Sequence, residues 1–170
     1  KNKLNQKIAD SKLSIHSNPL SEKIADGYFI TSDGYIAENS TIINKGILKT
    51  HLLGIYGANK LGKNRAVNDG GAYIVEPGDK SHKQIIENID EGILLCRFSG
   101  GYPSSNGDFS GVAKNSYYIK NGKIKFPITE TMVSGNVKKM FENIDDISSD
   151  RINFGSGIFP WISFNGITIS

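Results

Sequence analysis

Three histidines, one cysteine and a glycine-rich stretch are the places where this 170-residue sequence could do chemistry. His16, His51 and His82 are far apart, and none falls in an H-E-x-x-H pattern or any pair one helical turn apart, the spacing that aims two imidazoles at one metal ion. They read as strand or cap-region histidines, partly solvated. Cys96 follows Ile93, Leu94 and Leu95. That apolar run reads as a buried strand, where a thiol behaves as a small hydrophobe, and no histidine lies close in sequence to act as its base. Neither G-x-G-x-x-G nor a Walker-type phosphate loop occurs, and Gly155-Ser156-Gly157 is too short for a nucleophile elbow. Asn39-Ser40-Thr41 fits a glycosylation acceptor, a tripeptide common by chance. The expectation is a chain with no catalytic and no metal-ligating residue of its own.

The stretch from Ser99 to Phe109 is of another kind. Gly100, Gly101, Asn106 and Gly107 are backbone-permissive residues, followed at once by Asp108 and Phe109. Two readings stay open. The glycines can simply set the turns of a long β-connection; or they can form a rim where a peptide backbone or partner subunit approaches closely, because glycine leaves amides open to strand-like pairing. On the second reading Gly100, Gly101, Asn106, Gly107, Asp108 and Phe109 are the candidate peptide-binding or subunit-contact residues.

The elements that must carry this loop read as α+β, a mostly antiparallel or mixed sheet with two or three short helices packed on it. Strands are expected over 12–16, 41–53, 73–76, 93–98, 108–119, 128–133 and 158–169, from β-branched and aromatic runs bounded by Gly and Asn. Asn121-Gly122 supplies the two positive-φ positions of a type I′ turn. That register pairs Ile119 with Ile124 and Tyr117 with Phe126 on a core face, and turns Tyr118, Lys120, Lys123 and Lys125 to water. Pro127 lacks an N–H and marks an edge or strand start. One helix is signalled by the capping-box spacing of Ser81 and Gln84, with Ile85, Ile86 and Ile89 as its stripe and an end at Glu91-Gly92. A second starts near Asn136, with Val137, Met140, Phe141 and Ile144 on one side. A third runs from Ile55 to Leu61 and stops at Gly62.

Length and 38% hydrophobic content suit one compact domain over 1–170. The net charge of +3 comes from scattered basic residues, which argues against direct nucleic-acid binding. No apolar stretch approaches membrane-spanning length, the start of the chain, 1–10, is polar rather than signal-like, and a single cysteine fits a reducing compartment. A cytoplasmic protein without membrane contact is expected. The absence of an initiator Met at Lys1 suggests a piece of a longer polypeptide.

Several segments, in order, resemble the TldD/PmbA family. Gly92-Ile93-Leu94, Gly100-Gly101 and Asn106-Gly107-Asp108-Phe109-Ser110 resemble its T-G-D-[FY]-S-type segment. Asn121-Gly122-Lys123-Ile124, Phe126-Pro127-Ile128 and Gly135-Asn136-Val137 through Met140, with Asn143-Ile144, are similar to its E-N-G-x-I-x-[YF]-P-V and G-N-L-x-x-M-x-x-N-I stretch. Leu52-Leu53, Tyr56, Ala58, Lys60-Leu61-Gly62, Asn68 and Gly70-Gly71 resemble its L-L-x-x-Y-x-A-x-K-L-G pattern and following glycines. The resemblance spans about 46–170. It implies the C-terminal domain of a peptidase component acting on peptides or unfolded proteins, a family also described as modulating DNA gyrase. TldD-type subunits would bind zinc through an H-E-x-x-x-H helix and a cysteine near the C-terminus. At the matching place this chain reads Asn153-Phe154-Gly155-Ser156-Gly157-Ile158, then Pro160, without a thiol. That implies a metal-free PmbA/TldE-like subunit, with no cofactor in this fragment and zinc only in a TldD-like partner. Two alternatives remain. One is an active metallopeptidase with its zinc helix upstream and Cys96, Asp108 or a histidine as third ligand; the other is a non-proteolytic β-rich module binding through the exposed face of the Asn121-Gly122 hairpin.

Overall fold

The computed structural model describes residues 3–170, so Lys1 and Asn2 of the polar start lie outside the described residues. The architecture is α+β, with three short helices and three sheets ordered β11-β12-β4-β1-β2-β3, β13-β10-β7-β6 and β5-β8-β9. The chain divides into two compact units. The first runs to Pro77 and resumes over Asp150–Trp161; the second is Gly78–Ser149 with Ile162–Ser170.

The first unit holds β1 (Ile15–Ser17), β2 (Ser40–Asn44), β3 (Ile47–Leu48), α1 (Ile55–Leu61) and β4 (Tyr73–Val75). The expected 41–53 strand breaks because Lys45 and Gly46 take φ of 46° and 77°, making a two-residue hairpin between Ile43↔Leu48 and Asn44↔Ile47. α1 starts at Gly54, which has no side chain to cap it; Asp33 Oδ2 instead accepts the Ile55 N–H at 2.6 Å. A carboxylate at that end meets free amides and the positive pole of the helix. Gly62, at φ 61°, ends α1 where the sequence expects it. Buried Asn68 ties the unit together: its Nδ2 donates to the Glu38 carbonyl at 2.7 Å and to Ser40 Oγ at 2.9 Å, while its Oδ1 accepts from the Gly70 amide at 3.0 Å. A buried amide so fully bonded fixes the 68–71 turn against β2. Ile24, Ala72 and Ile158 form a small apolar core with Ile74.

The second unit holds α2 (His82–Glu87), β5 (Glu91–Leu94), β6 (Arg97–Gly100), β7 (Asp108–Lys114), β8 (Ser116–Lys120), β9 (Lys123–Ile128), β10 (Thr131–Asn136) and α3 (Val137–Glu142). β11 (Ile144–Asn153) and β12 (Gly157–Phe164) run on from this unit into the first or back, and β13 (Thr168–Ile169) closes the chain. β4 and β12 run parallel, whereas β1 to β3 and the two smaller sheets are antiparallel. Ser81 and Gln84 make the expected capping box, though α2 stops at Glu87, earlier than its apolar stripe suggests.

Two expected strands bend into different sheets. The 93–98 run separates into β5 and β6 around Leu95-Cys96, and the 108–119 run separates into β7 and β8 at Asn115, whose φ is 50°. Buried Ser116 repairs the broken ladder: its Oγ accepts the Cys96 N–H at 3.1 Å and donates to the Lys114 carbonyl at 2.9 Å. Cys96 is therefore exposed at a corner, and not a core residue as its apolar neighbours suggest. The 128–133 run likewise breaks, at Glu130 with φ 52°.

The Asn121-Gly122 turn forms with φ of 50° and 68°, and Ile119 pairs with Ile124. Tyr117 opposes Pro127, and not Phe126, because a bulge intervenes. The extra residue turns Phe126 to the side of Tyr118, on which it stacks at 5.1 Å. Of the four residues expected in the core, only Ile119 is buried; Tyr117, Ile124 and Phe126 are exposed on or beside β9, the outer strand of its sheet. Pro127 does lie on an edge strand, as a residue without an N–H should. Among the described residues, no helix is long and apolar enough to cross a membrane.

Candidate functional site

The glycine-rich loop joins two hydrogen-bonded strands, so its ends are fixed and its middle is free to be shaped. β6 and β7 pair from Arg97↔Lys114 to Gly100↔Gly111, and β6 is the outermost strand of its sheet. Gly100 is therefore the last residue of an edge strand, whose outer side has no strand neighbour within the sheet. Past it, Gly101, Tyr102 and Pro103 run in the open, and Tyr102 is fully exposed. The loop then closes on itself: the Ser104 amide donates to the Asp108 carbonyl at 2.8 Å, the Gly107 amide to the Ser104 carbonyl at 2.8 Å, and the Asp108 amide to Ser104 Oγ at 3.1 Å.

Asn136 locks this turn to the next element. Its Oδ1 accepts the Lys138 and Lys139 amides as N-cap of α3, while Nδ2 donates to the Asn106 carbonyl at 3.0 Å and to Asp108 Oδ1 at 2.7 Å. The Val137 amide also donates to the Gly107 carbonyl at 2.8 Å. Asn106, Gly107 and Asp108 are thus brought together by one side chain, and Asp108 pairs with Asn136 across β7 and β10. Gly100, Gly101 and Phe109 belong to a different part of the loop.

That part is an apolar notch of about 470 Å³ between Phe98, Gly100, Gly101, Tyr102, Pro103 and Phe109. Phe98 and Phe109 meet edge to face with centroids 5.8 Å apart. The Phe98 ring lies over the cross-strand glycine pair: a Cβ at Gly100 would come within 2.6 Å of it, and one at Gly111 within 2.5 Å. Gly101 meets nothing within 4 Å. The notch lies beside β6, whose outer side has no strand neighbour among the described residues. Sequence reasoning finds the loop but not Phe98 or Asn136 as its working parts. Asn136 carries the signal of an N-cap, an Asn just before a helical stripe; its second role depends on a contact with Asn106 that no local pattern encodes.

The potential metal ligands among the described residues are scattered. His16 is committed to two neighbours, with Nδ1 3.0 Å from Thr41 Oγ1 and Nε2 3.1 Å from Glu76 Oε1. Among the described residues, no three His, Cys, Asp or Glu side chains come together as metal ligands. The turn between β11 and β12 is held by backbone and amide groups: the Gly155 amide donates to Asn153 Oδ1 at 2.8 Å, the Ala25 amide to the Gly155 carbonyl at 2.8 Å, and Asn153 Nδ2 to the Lys23 carbonyl at 2.9 Å. No thiol lies in that turn, and Cys96 sits between β5 and β6.

Comparison with known proteins agrees with this architecture. Residues 1–170 match the family model described as the PmbA/TldA metallopeptidase C-terminal domain. A metalloprotease PmbA homolog of Buchnera aphidicola (subsp. Acyrthosiphon pisum) is 34% identical over 97% of this chain and 39% of its own length. A crystal structure from Bacteroides thetaiotaomicron, of a candidate modulator of DNA gyrase, superposes with a TM-score of 0.90 at 30% identity, covering 99% of this chain and 39% of that one. TldE from Thermococcus kodakarensis shares the fold, with a TM-score of 0.82 at 22% identity over 99% of this chain and 42% of that one. The chain spans about two fifths of the length of the curated relatives it matches. With its whole length matched and its sheets superposing, the chain belongs to the PmbA/TldD metallopeptidase family, as the C-terminal domain.

Proposed function

We propose that this domain serves a metal-free, PmbA/TldE-like subunit that supports the proteolysis of peptides or unfolded proteins in the cytoplasm together with a zinc-carrying TldD-like partner. The observation that carries the reading is the turn between β11 and β12. Where the resemblance to TldD-type subunits calls for a thiolate, the chain has Gly155 and Ser156, and the Gly155 carbonyl and the Asn153 side-chain amide are already bonded to the 23–26 segment. A soft, anionic zinc ligand is thereby replaced by groups with little affinity for the ion. The 100–109 loop supports the second half of the reading. An edge strand that ends at Gly100 and runs on into Gly101, flanked by an apolar notch, suits a peptide backbone that pairs with β6 and a side chain that fills the notch, or a partner surface doing the same.

The test uses the full-length protein with a TldD-like subunit. Expected are a stable complex by gel filtration, peptide cleavage only by the mixture, and zinc in stoichiometric amount only in the partner. Cleavage by the protein alone, or one equivalent of tightly bound zinc in it, would sink the proposal.

A further inference from the structure

A second concavity, in the first unit, has the opposite character from the aromatic notch. A groove of about 500 Å³ opens beside the end of α1, lined by Lys49, His51, Lys63 and Arg65 on a floor that includes Leu53 and Val67. Among the described residues no Asp or Glu lines it. Three basic residues, Lys49, Lys63 and Arg65, thus line one small concave surface. Like charges so placed repel one another unless an anion joins them, and low-dielectric walls strengthen their field at the centre.

Arg65 is held ready for such a ligand. Its guanidinium lies 3.8 Å from the centroid of the Tyr35 ring, and Nη1 donates to the Ala66 carbonyl at 2.6 Å. The stacking and the one short bond fix the plane of the fork, so binding orders it little further. Lys49 is exposed, its Nζ making a long 3.4 Å contact with Asn5 Oδ1. Part of the cationic charge serves the C-terminal pole of α1, to which Lys60 and Lys63 are suited. Lys49 and Arg65 come from outside that helix and need another explanation.

We infer that this groove binds a carboxylate-bearing peptide segment, the acidic side chains meeting Arg65, Lys49 and Lys63 and an adjoining aliphatic side chain resting on Leu53 and Val67. A planar fork suits a carboxylate bidentately, and the apolar floor distinguishes a peptide from a free inorganic anion. The inference stands apart from the proposed subunit role, since it concerns other residues and needs neither zinc nor a partner.

The probes are the blocked peptide acetyl-Leu-Glu-Leu-Glu-amide, its glutamine isostere, and inorganic phosphate, each titrated into the full-length protein and followed by amide NMR shifts. The glutamate peptide is expected to shift the amides of Lys63, Arg65, Ala66 and Val67 and to bind about tenfold more tightly than the glutamine peptide, a charge-assisted hydrogen bond's worth. Added salt should weaken it. Arg65→Gln should remove most of that preference while Arg65→Lys keeps part of it. Lys49→Gln alters an exposed side chain and is expected to keep the thermal midpoint, so a loss of affinity there is not a loss of fold. Equal binding of the two peptides, shifts centred elsewhere, or phosphate binding as tightly as the glutamate peptide would each overturn the inference.

Discussion

Gly100 and Gly101 are neighbours with different reasons to be glycine. A methyl group at Gly100 would sit 2.6 Å from Phe98 ring carbons and 2.6 Å from the Ser110 carbonyl, whereas one at Gly101 would touch nothing. Gly100→Ala should therefore lower stability by about 1–3 kcal/mol through overpacking, and Gly101→Ala should stay within about 0.5 kcal/mol of the parent, both read from urea unfolding. If the loop receives a peptide backbone, Gly101→Ala is the variant that weakens peptide binding at unchanged stability. Glu76 makes a second prediction at this scale. A hydrogen bond from His16 is the main influence holding its carboxyl below the usual carboxylate range, against opposition from desolvation. With the folded value depressed, the contribution to stability is present above the unfolded value and fades as pH falls through the folded one. The stability gap between the parent and Glu76→Gln should be full near neutrality and close in the acid range below the ordinary carboxylate value, as urea midpoints taken across pH would show.

Between residues and the whole lie the turns and caps, and here sequence legibility ends abruptly. α1, the capping box of α2 and the Asn121-Gly122 turn were readable because each depends on a few adjacent residues with special dihedrals or cap chemistry. The sheet switches at Leu95-Cys96 and Asn115 were not, since an apolar run looks the same straight or bent; Ser116, the residue that mends the corner, acts across 20 positions. β11, the longest strand, escaped because Ile144, Ile147 and Ile152 stand among Asp and Ser without strict alternation. The candidate loop was legible as glycine-rich, while its notch needs Phe98 from the preceding strand and its anchor needs Asn136. That anchor can be dissected. Asn136→Asp keeps the oxygen that caps α3 but loses the donor to the Asn106 carbonyl and sets a carboxylate against Asp108. Helix stability should change little, whereas the amides of Gly107 and Asp108 should exchange faster with deuterium; Asn136→Ala should lose the cap too, at about 0.5–2 kcal/mol. Gly122→Ala belongs beside it: positive φ and a Cβ 2.5 Å from the Glu87 carbonyl predict a loss above about 1 kcal/mol, measured by thermal unfolding.

On the scale of the molecule, the chain forms two compact units. The chain passes between them after Pro77, Ser149 and Trp161, and the last two passages fall inside β11 and β12, in continuous strand with no linker. Melting one unit strips part of the hydrogen-bonded ladder from a strand whose remainder belongs to the other. One cooperative transition is therefore expected, with fluorescence of Trp161, the only tryptophan, and far-UV circular dichroism giving coincident midpoints. Ile158→Ala tests the coupling directly. Ile158 packs with Ile24 and Ala72 in the first unit, so its truncation should lower stability by about 2–5 kcal/mol. In a single cooperative body that loss reappears as an equal drop in the exchange protection of the buried Ile119 amide in β8, which belongs to the second unit. Protection at Ile119 that is unchanged while the first unit loosens would mean that the units unfold separately, and that strand continuity alone does not bind them into one domain.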